Sequence, residues 1–251
     1  PRFYAAENFG NVPCTIPAAP IDVDFHGQLR EDLDQHNATA AVLESLRAKG
    51  GAVLSLGTGQ GKTTCACWVV AQLKLKTVVL VHKDVLRTQW AERVAQFLPR
   101  AKVSYIQGTV CDLSGDVVVA MIQTVVNRRI DFAGVGLVIV DECHHIGAET
   151  FSTAMRGLCA RYALGLSATP TRKDGLTNVM HWFLGPPAYA AQRKDMRHVV
   201  VEFLRYACPR YKLPPPTTRF GTVNFTEVIT DIADDGQRTN AIVERVAAIR
   251  E

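Results

Sequence analysis

The sequence lacks long apolar runs, internal repeats and low-complexity tracts. No hydrophobic stretch approaches the roughly 20 residues that a membrane-spanning helix needs, and no signal peptide is visible, so a membrane partner is not expected. Neither sign of charge dominates, because 28 Lys and Arg stand against 24 Asp and Glu, for a net charge of +4. This mildly basic balance is compatible with a polyanionic partner but does not require one.

The seven cysteines do not form the pattern of a disulfide framework, because their number is odd and they are scattered along the chain. Several lie inside predicted helices or strands, where buried thiols are common. Cys65 and Cys67 are two residues apart in a predicted helix and do not share a face, so a metal pair is not expected there. This usage favours a reducing, intracellular compartment, without separating nucleus from cytoplasm.

From residue 51 onward, short apolar runs alternate with helical patterns. Unbroken hydrophobicity is typical of strands buried on both faces, so the sequence predicts a doubly wound, mainly parallel α/β sheet with helices on both faces. Ligands of such a sheet lie beyond the carboxyl ends of its strands. The predicted strands are Ala52–Leu56, Thr77–Val81, Val103–Ile106, Val117–Ala120, Leu137–Val140 and Tyr162–Leu166.

A helix is predicted after the second of these strands. Asp84 is suited to cap its start, and Pro99 is expected to stop it. Helical spacing places a buried stripe at Leu86, Trp90, Val94 and Phe97.

The flanks of the sheet have other patterns. Prolines at positions 1, 13, 17 and 20 predict an irregular lead-in over residues 1–24, followed by a domain that spans 25–190. After Gly185-Pro186-Pro187 the alternation breaks down, and residues 191–251 are predicted to form a connector and a helix. Within them the pattern favours a strand at His198–Tyr206, a proline-rich connector at Cys208–Thr218 and a helix at Thr239–Arg250.

The segment between the first strand and its helix has the pattern of a phosphate-binding loop. Its glycines allow backbone N–H groups to face an anion, Lys62 adds a charge for the outer phosphates, and the Thr63 hydroxyl can ligate Mg²⁺. Leu56 stands where the usual pattern has its first glycine. A plain glycine-rich turn would explain the glycines but not Lys62 and Thr63 at the mouth of a helix. The predicted nucleotide-binding residues are Gly57, Thr58, Gly59, Gln60, Gly61, Lys62, Thr63 and Thr64.

An acidic pair, Asp141-Glu142, ends the buried strand Leu137–Val140. Buried carboxylates are costly. In a fold with a phosphate loop, Asp141 can hold Mg²⁺ directly or through water, and Glu142 can orient and deprotonate the attacking water. The alternative is that Asp141 caps the next helix and Glu142 is solvated.

Two further groups follow at strand ends. The cluster Cys143-His144-His145 has adjacent ligands and no partner pair at finger-like spacing, which disfavours zinc. A relay is favoured instead, in which His144 hydrogen-bonds between the nucleotide site and the neighbouring strand end. That end carries Ser167 and Thr169 before Pro170, and their hydroxyls are suited to switching hydrogen bonds. Alone, this tetrapeptide would be an ordinary Ser/Thr turn.

In order and spacing, these three segments resemble motifs I, II and III of superfamily 2 helicases, with Leu56 at an alanine position of motif I. Val81-His82-Lys83 through Gln89-Trp90 resembles motif Ia of the XPB/Ssl2-like branch. Asp141–His145 and Ser167–Gly175 also resemble that branch, especially the versions encoded by large DNA viruses. If the protein is viral, a viral factory is an alternative location to the nucleus or cytoplasm. The resemblance covers roughly residues 25–190.

The resemblance implies a RecA-like, P-loop ATPase domain, the N-terminal motor domain of a helicase or translocase that uses ATP and Mg²⁺. Lys62 and Thr63 would then bind the phosphates and Mg²⁺, Asp141 would be the Mg²⁺ carboxylate and Glu142 the catalytic base. Ser167 and Thr169, with His144, would couple hydrolysis to movement. Family members have an upstream glutamine that reads adenine, but neither Gln28 nor Gln35 falls in the expected register.

The resemblance also implies nucleic-acid contacts in loops after the strands. Duplex DNA is favoured as the partner because the XPB-like branch grips duplex DNA. A solvated basic turn is an alternative for Arg128-Arg129, and Met121 stands where relatives often carry threonine. The predicted contact residues are His82, Lys83, Gln107, Gly108, Thr124 and Arg128.

The family also uses a second RecA-like domain whose arginines reach the γ-phosphate, and nothing after residue 190 resembles its motifs. Residues 191–251 would lead toward that domain, and the 251-residue chain is expected to be monomeric and to hydrolyse ATP poorly. Alternatives are the motor of a restriction or recombination enzyme, or a non-catalytic docking module. Intact Lys62, Thr63, Asp141 and Glu142 argue against the docking module.

Overall fold

The computed structural model describes residues 1–10, 16–144, 146, 148–169, 176–191, 203, 205–206 and 214–249. The chain divides into two compact units, residues 1–194 and 195–251, and each is described by itself. The predicted strand at His198–Tyr206 lies almost entirely outside the described residues, as does the first half of the predicted connector at Cys208–Thr218.

A single sheet runs through the first unit, with the strand order β4-β3-β5-β2-β6-β7-β1-β8. Neighbouring strands are parallel, except for the antiparallel pair β3 and β4. The six predicted strands are confirmed within one residue at each end. The strands are β1 (Gly51–Ser55), β2 (Thr77–Val81), β3 (Val103–Gln107), β4 (Val110–Cys111), β5 (Val117–Met121), β6 (Leu137–Val140), β7 (Tyr162–Ser167) and β8 (Pro187–Ala190).

Helices cover both faces of this sheet. One hydrophobic core joins the sheet to α2, α3 and α4, and the other joins it to α5, α6 and α7. The doubly wound, mainly parallel α/β fold is therefore confirmed. The helices of this unit are α1 (Arg2–Phe9), α2 (Gln35–Lys49), α3 (Lys62–Leu73), α4 (Asp84–Phe97), α5 (Ile122–Asn127), α6 (Ala148–Gly157) and α7 (Thr177–Leu184). Among the described residues, none of the helices is long and apolar enough to cross a membrane.

The prediction of an irregular lead-in over residues 1–24 is wrong for Arg2–Phe9, which form α1. The prolines at 13, 17 and 20 all follow this helix and cannot interrupt it, and Pro1 stands at its N-cap. Its position is stabilised from outside, because the ring of Tyr4 meets the ring of Trp182 on α7 edge-on, with centroids 5.0 Å apart.

The predicted cap of α4 is also wrong. Lys83 is the N-cap residue and Asp84 is the first helical residue, without a side-chain capping bond. The carboxylate of Asp84 instead accepts hydrogen bonds from the side chains of Arg87 and Gln107. The predicted stop holds, since α4 ends at Phe97 before Pro99.

In the second unit the described residues form α8 (Phe225–Ala233) and α9 (Gly236–Ile249). The helix predicted at Thr239–Arg250 is thus present as α9, and it begins three residues earlier. The side chains of Ile242 and Val246 on α9 are exposed. The assignment of residues 191–251 to a connector toward a second RecA-like domain stays a prediction.

Candidate nucleotide site and nucleic-acid face

Three adjacent strands bring the predicted motifs to one edge of the sheet. β6, β7 and β1 are neighbours and parallel, so their carboxyl ends meet. The loop after β1 turns on Gly59 and Gly61, which have left-handed φ angles of +78° and +82°. Glycine adopts this conformation without the steric cost that a Cβ brings. Gly61 is also the N-cap of α3, whose first-turn N–H groups are suited to bind an anion.

Two glutamines hold this loop closed. Gln60 Oε1 accepts a hydrogen bond from the Gly57 N–H at 2.6 Å. The buried side chain of Gln35, which is 2% exposed, donates to the Gln60 carbonyl at 2.8 Å and accepts from the Arg30 N–H at 2.9 Å. Both ends of the Gln35 amide are therefore engaged, one by the segment before α2 and the other by the loop.

Sequence reasoning did not assign Gln35, because its spacing from Leu29-Arg30 departs from the pattern of the resembling family. The helical period of α2 nevertheless contains a signal that could have identified Gln35. Gln35 lies three and seven residues before Ala38 and Val42, on the face of α2 that packs into the core. A polar side chain on a buried face needs a specific hydrogen-bond partner.

Lys62 and Glu142 meet at the centre of the site. Lys62 Nζ lies 3.5 Å from Glu142 Oε1 and donates to the Leu56 carbonyl at 3.2 Å. The Lys62 side chain is 10% exposed and that of Glu142 is 24% exposed, so the pair is sheltered but open to a ligand. Two motifs that are 80 residues apart in sequence thus converge, as the sequence predicts.

Asp141 is buried at the end of β6, with 5% of its surface exposed. Its Oδ2 accepts a hydrogen bond from the indole Nε1 of Trp90 at 2.8 Å, and its Oδ1 accepts from the Glu142 N–H at 2.9 Å. Burial raises the pKa of the Asp141 carboxyl, the bond from Trp90 opposes that rise, and the charge of Glu142 adds to it. Trp90 was predicted as a core residue of α4 and as part of the segment that resembles motif Ia, and neither pattern identified its polar partner.

Glu142 has an unusual backbone, with a left-handed φ of +46°. For a residue with a Cβ this conformation costs free energy and is found mainly at functional sites. Its Oε2 is buried and has no hydrogen-bond partner in the part of the chain that the structure describes. His144 Nδ1 lies 3.5 Å from this oxygen.

These residues fit a magnesium–nucleotide complex better than a metal held by protein alone. Within the described ranges, no group of three or more His, Cys, Asp or Glu side chains is arranged to hold a metal ion. Mg²⁺ is typically bound through one or two carboxylates together with substrate phosphates and water. Asp141 supplies a carboxylate at this edge, and Thr63 a hydroxyl in the first turn of α3. The orphaned Glu142 Oε2 remains for a further polar partner.

The predicted relay residues are also in contact. Ser167 Oγ lies 2.9 Å from His144 Nδ1, with the donor set by the imidazole tautomer, and it accepts from the Thr169 N–H at 3.1 Å. The single proton of Ser167 Oγ is donated either to His144 Nδ1 or to the Thr169 carbonyl. The contact between His144 and the neighbouring strand end is therefore present, while the coupling role of these residues stays a prediction. His145 and residues 170–175 lie outside the described residues.

The predicted nucleic-acid residues lie beside this site, where β3, β5 and β2 are neighbours. Thr124 Oγ1 accepts from the Gly108 N–H at 3.0 Å. Gln107 Nε2 donates to Asp84 Oδ1 at 2.9 Å, and Arg128 donates to the Thr109 carbonyl at 3.2 Å.

Two more of the predicted contacts follow β2. Gln123 Nε2 donates to the His82 carbonyl at 3.2 Å, which ties α5 to the end of β2. Lys83 is exposed at the start of α4. These residues follow the neighbouring parallel strands β2, β3 and β5 and are defined here as the nucleic-acid face: His82, Lys83, Gln107, Gly108, Thr124 and Arg128. The nucleic-acid role of each of them stays a prediction.

Comparison with solved structures supports the fold. The chain superposes with a TM-score of 0.55 and 18% identity on the Sulfolobus solfataricus SWI2/SNF2 ATPase core in complex with dsDNA, over 69% of this chain and 38% of that one. At this identity the likeness is one of fold.

Two curated relatives are similar in sequence. The chain is 32% identical over 214 residues to the "Putative ATP-dependent RNA helicase L396" of Acanthamoeba polyphaga mimivirus, which covers 82% of this chain and 41% of that protein. It is 31% identical over 164 residues to the DNA 3'-5' translocase XPB2 of Sulfurisphaera tokodaii, over 65% of this chain and 36% of that protein. The chain therefore spans less than half the length of these two relatives.

A protein family, described as the res subunit of type III restriction enzymes (ResIII), matches residues 28–172. The match includes both the loop that ends at Lys62 and the acidic pair at Asp141, and it covers more than half of the chain. The chain accordingly belongs to the ResIII family and has the fold of the N-terminal motor domain of superfamily 2 helicases.

Proposed function

We propose that this chain is the first motor domain of an ATP-dependent DNA helicase or translocase. The observation that carries the proposal is the approach of Lys62 Nζ to within 3.5 Å of Glu142 Oε1, at the edge where β1 and β6 end. An ammonium and a carboxylate sheltered next to an anion-binding loop are the groups that phosphoryl transfer requires.

ATP would bind with its phosphates on the loop and at the N-terminus of α3, where Lys62 offsets their charge. Thr63 and Asp141 would hold Mg²⁺, and the bound ion neutralises phosphate charge. Glu142 would orient the attacking water and accept its proton at Oε2, the carboxylate oxygen that has no hydrogen-bond partner among the described residues.

Nucleic acid would bind along the nucleic-acid face. Exposed Lys83 and Arg128 lie there together with the backbone N–H groups and amides of the strand ends. Duplex DNA is the proposed partner, in keeping with the translocase name of one relative and the dsDNA complex of the structural neighbour. The RNA helicase name of the viral relative makes RNA the competitor to test.

Full turnover would also need groups from a second RecA-like domain. Arginines from such a domain raise the rate of phosphoryl transfer by about 10³–10⁵ in related enzymes. The greater length of the relatives supports this part of the proposal. An intracellular site of action and a monomeric 251-residue chain belong to the same proposal.

The substitution Glu142→Gln in the intact protein tests the function. The variant should bind ATP with unchanged affinity and lose hydrolysis, because it keeps the loop and Lys62 but lacks the carboxylate that accepts the proton. ATP binding is measured by calorimetry, and hydrolysis is measured with and without duplex DNA or duplex RNA.

A docking module gives a different result. A docking module would show no ATPase activity that depends on Glu142 or Lys62. Neither Glu142→Gln nor Lys62→Ala would change its binding to protein partners. Binding of nucleic acid that does not weaken as salt rises would also contradict the proposal, because phosphate contacts release counterions.

A further inference from the structure

Trp90 is a core residue that contacts Asp141, the candidate carboxylate ligand of the metal. It projects from the middle of α4 and is 1% exposed. Its indole N–H donates to Asp141 Oδ2 at 2.8 Å, across 51 residues of sequence. A buried indole needs a hydrogen-bond acceptor, and a backbone carbonyl would satisfy that need at lower cost than a buried carboxylate.

The Asp141 carboxylate is held at both of its oxygens. Trp90 donates to Oδ2, and the Glu142 N–H donates to Oδ1 at 2.9 Å. The second donor is fixed by the backbone, since the next N–H, that of Cys143, is bonded to the Leu166 carbonyl of β7. A carboxylate offers about four acceptor positions, so each oxygen keeps capacity for a cation or its water.

Packing fixes the first donor as well. Trp90 and Val94 are both buried in the core between α4 and the sheet, so the indole has little freedom to turn away. Removal of the N–H would therefore release one side of the carboxylate without changing the other.

We propose that Trp90 is a positioning residue, whose indole N–H holds Asp141 in the orientation that binds the divalent cation of the nucleotide complex. This inference rests on the proposed function, because it assumes that the cation binds at Asp141. Hydrogen bonds that orient metal ligands typically contribute ten- to hundredfold to metal affinity.

The test is Trp90→Phe in the 251-residue chain, which keeps a buried ring and removes the donor. Binding of Mn²⁺ to the ADP complex is followed by electron paramagnetic resonance, and the affinity for ADP without metal is measured separately. We expect Mn²⁺ affinity to fall about ten- to hundredfold. Metal-free ADP affinity should be unchanged, because the loop and Lys62 are intact.

Two variants serve as matched controls. Val94→Ala removes packing one turn further along the same buried face, and Trp182→Phe makes the same chemical change where the ring meets Tyr4. Neither should change Mn²⁺ affinity. An equal loss in Val94→Ala would assign the effect to packing and overturn the inference.

Asp141→Asn separates this inference from the proposed function. If Asp141→Asn loses Mn²⁺ affinity and Trp90→Phe does not, the inference fails and the proposed function stands. If neither variant loses Mn²⁺ affinity, the cation does not bind at Asp141 and both fail.

A measurement that leaves Trp90 in place covers the case in which Trp90→Phe does not fold. In the variant Trp68→Phe/Trp182→Phe, Trp90 is the remaining tryptophan, so its indole ¹⁵N–¹H signal is unambiguous. Addition of Mg²⁺ to the ADP complex should shift this signal through Asp141. An unshifted signal at saturating Mg²⁺ would overturn the inference.

Discussion

Ser167 Oγ, at the end of β7, lies 2.9 Å from His144 Nδ1, in the turn that follows the neighbouring strand β6. His144 Nδ1 is also 3.5 Å from Glu142 Oε2, so a short polar path joins the candidate catalytic carboxylate to the segment after β7. A hydroxyl that contacts both His144 and the Thr169 N–H can change partners when the charge at Glu142 changes. The predicted role of this path is to couple hydrolysis to movement, and it can be tested at Ser167.

Ser167→Ala should weaken the stimulation of ATP hydrolysis by DNA without weakening ATP binding. The ATP affinity should stay within about twofold, because Ser167 is not part of the phosphate loop, while stimulation of hydrolysis by DNA should fall about fivefold or more. The measurements are ATP binding and ATPase rates of the intact protein with and without duplex DNA. Ser45→Ala, which loses a bond to the Gly51 carbonyl at the other end of β1, is the control. Undiminished stimulation would remove Ser167 from the path.

Lys62→Ala should weaken ATP binding at least about tenfold, because a charge-assisted contact to phosphate contributes well over 1 kcal/mol. Lys74→Ala is the matched control. Its ammonium is half-exposed and pairs with Asp24 on the surface, so ATP affinity should not change. Isothermal titration with a non-hydrolysable ATP analogue gives both values. Equal affinities in the two variants would exclude Lys62 from the site.

Asp141 should make the stability of the ligand-free protein depend on pH in an unusual direction. Burial raises the pKa of this carboxyl above 3.8, so the folded state holds the proton more tightly than the unfolded state. The resulting stabilisation is present below the unfolded pKa and is lost as pH rises through the folded pKa. The unfolding free energy of the wild type relative to Asp141→Asn should therefore fall as pH rises above about 4.

Urea unfolding without nucleotide or Mg²⁺ measures this difference. Asp24→Asn provides a control of opposite sign, because a hydrogen bond from Lys74 lowers the pKa of Asp24. For that exposed pair, the wild type should gain a little stability relative to the variant as pH rises, and lose it as pH falls. A wild-type advantage over Asp141→Asn that grows with pH would contradict the assignment of a raised pKa.

Asp84→Asn should tighten nucleic-acid binding. The Asp84 carboxylate accepts from Arg87 Nε at 2.8 Å and from Gln107 Nε2, so it places a negative charge beside the proposed phosphate path. Its removal should release Arg87, raise DNA affinity about two- to fivefold and steepen the salt dependence by about one phosphate contact. Fluorescence anisotropy at several salt concentrations measures both effects. Asp32→Asn, which removes the partner of Arg30, should leave them unchanged.

The sheet and its loop could be predicted because their causes are local. A parallel strand covered on both faces is mostly apolar, so continuous apolar runs such as Val78–Val81 identify it. A phosphate loop needs glycine at left-handed positions and a lysine at the helix start, and these residues are adjacent in sequence. Short-range patterns therefore locate the strands and the phosphate site.

The remaining features depend on distant contacts. Gln35 and Trp90 fall on core faces of their helices, and their hydrogen-bond partners lie 25 and 51 residues away. Helix α1 has eight residues, too few to be stable alone, and it packs on α7. Strand β8 begins at Pro187, a residue that ordinarily marks a break and is tolerated here at the sheet edge.

A pair of glycine variants tests the contact between Gln35 and the loop. Gly59 and Gly61 have similar left-handed φ angles, so an alanine at either position adds about 1 kcal/mol of backbone strain. A Cβ at Gly59 would meet nothing, whereas a Cβ at Gly61 would lie 2.3 Å from Gln35 Nε2. Gly61→Ala should therefore lower the unfolding free energy by about 1–2 kcal/mol more than Gly59→Ala does, because it also displaces a buried amide.

The double variant Gln35→Ala/Gly61→Ala, compared with Gln35→Ala alone, completes the cycle by urea unfolding without nucleotide. With the amide already absent, the added Cβ has room, and only the backbone strain shared with Gly59→Ala should remain. Coupling of this kind would show that Gln35 acts on the loop through the Gln60 carbonyl, since that bond is the one a Cβ at Gly61 displaces. If the losses of unfolding free energy from Gln35→Ala and Gly61→Ala are additive, Gln35 stabilises α2 and does not act on the loop.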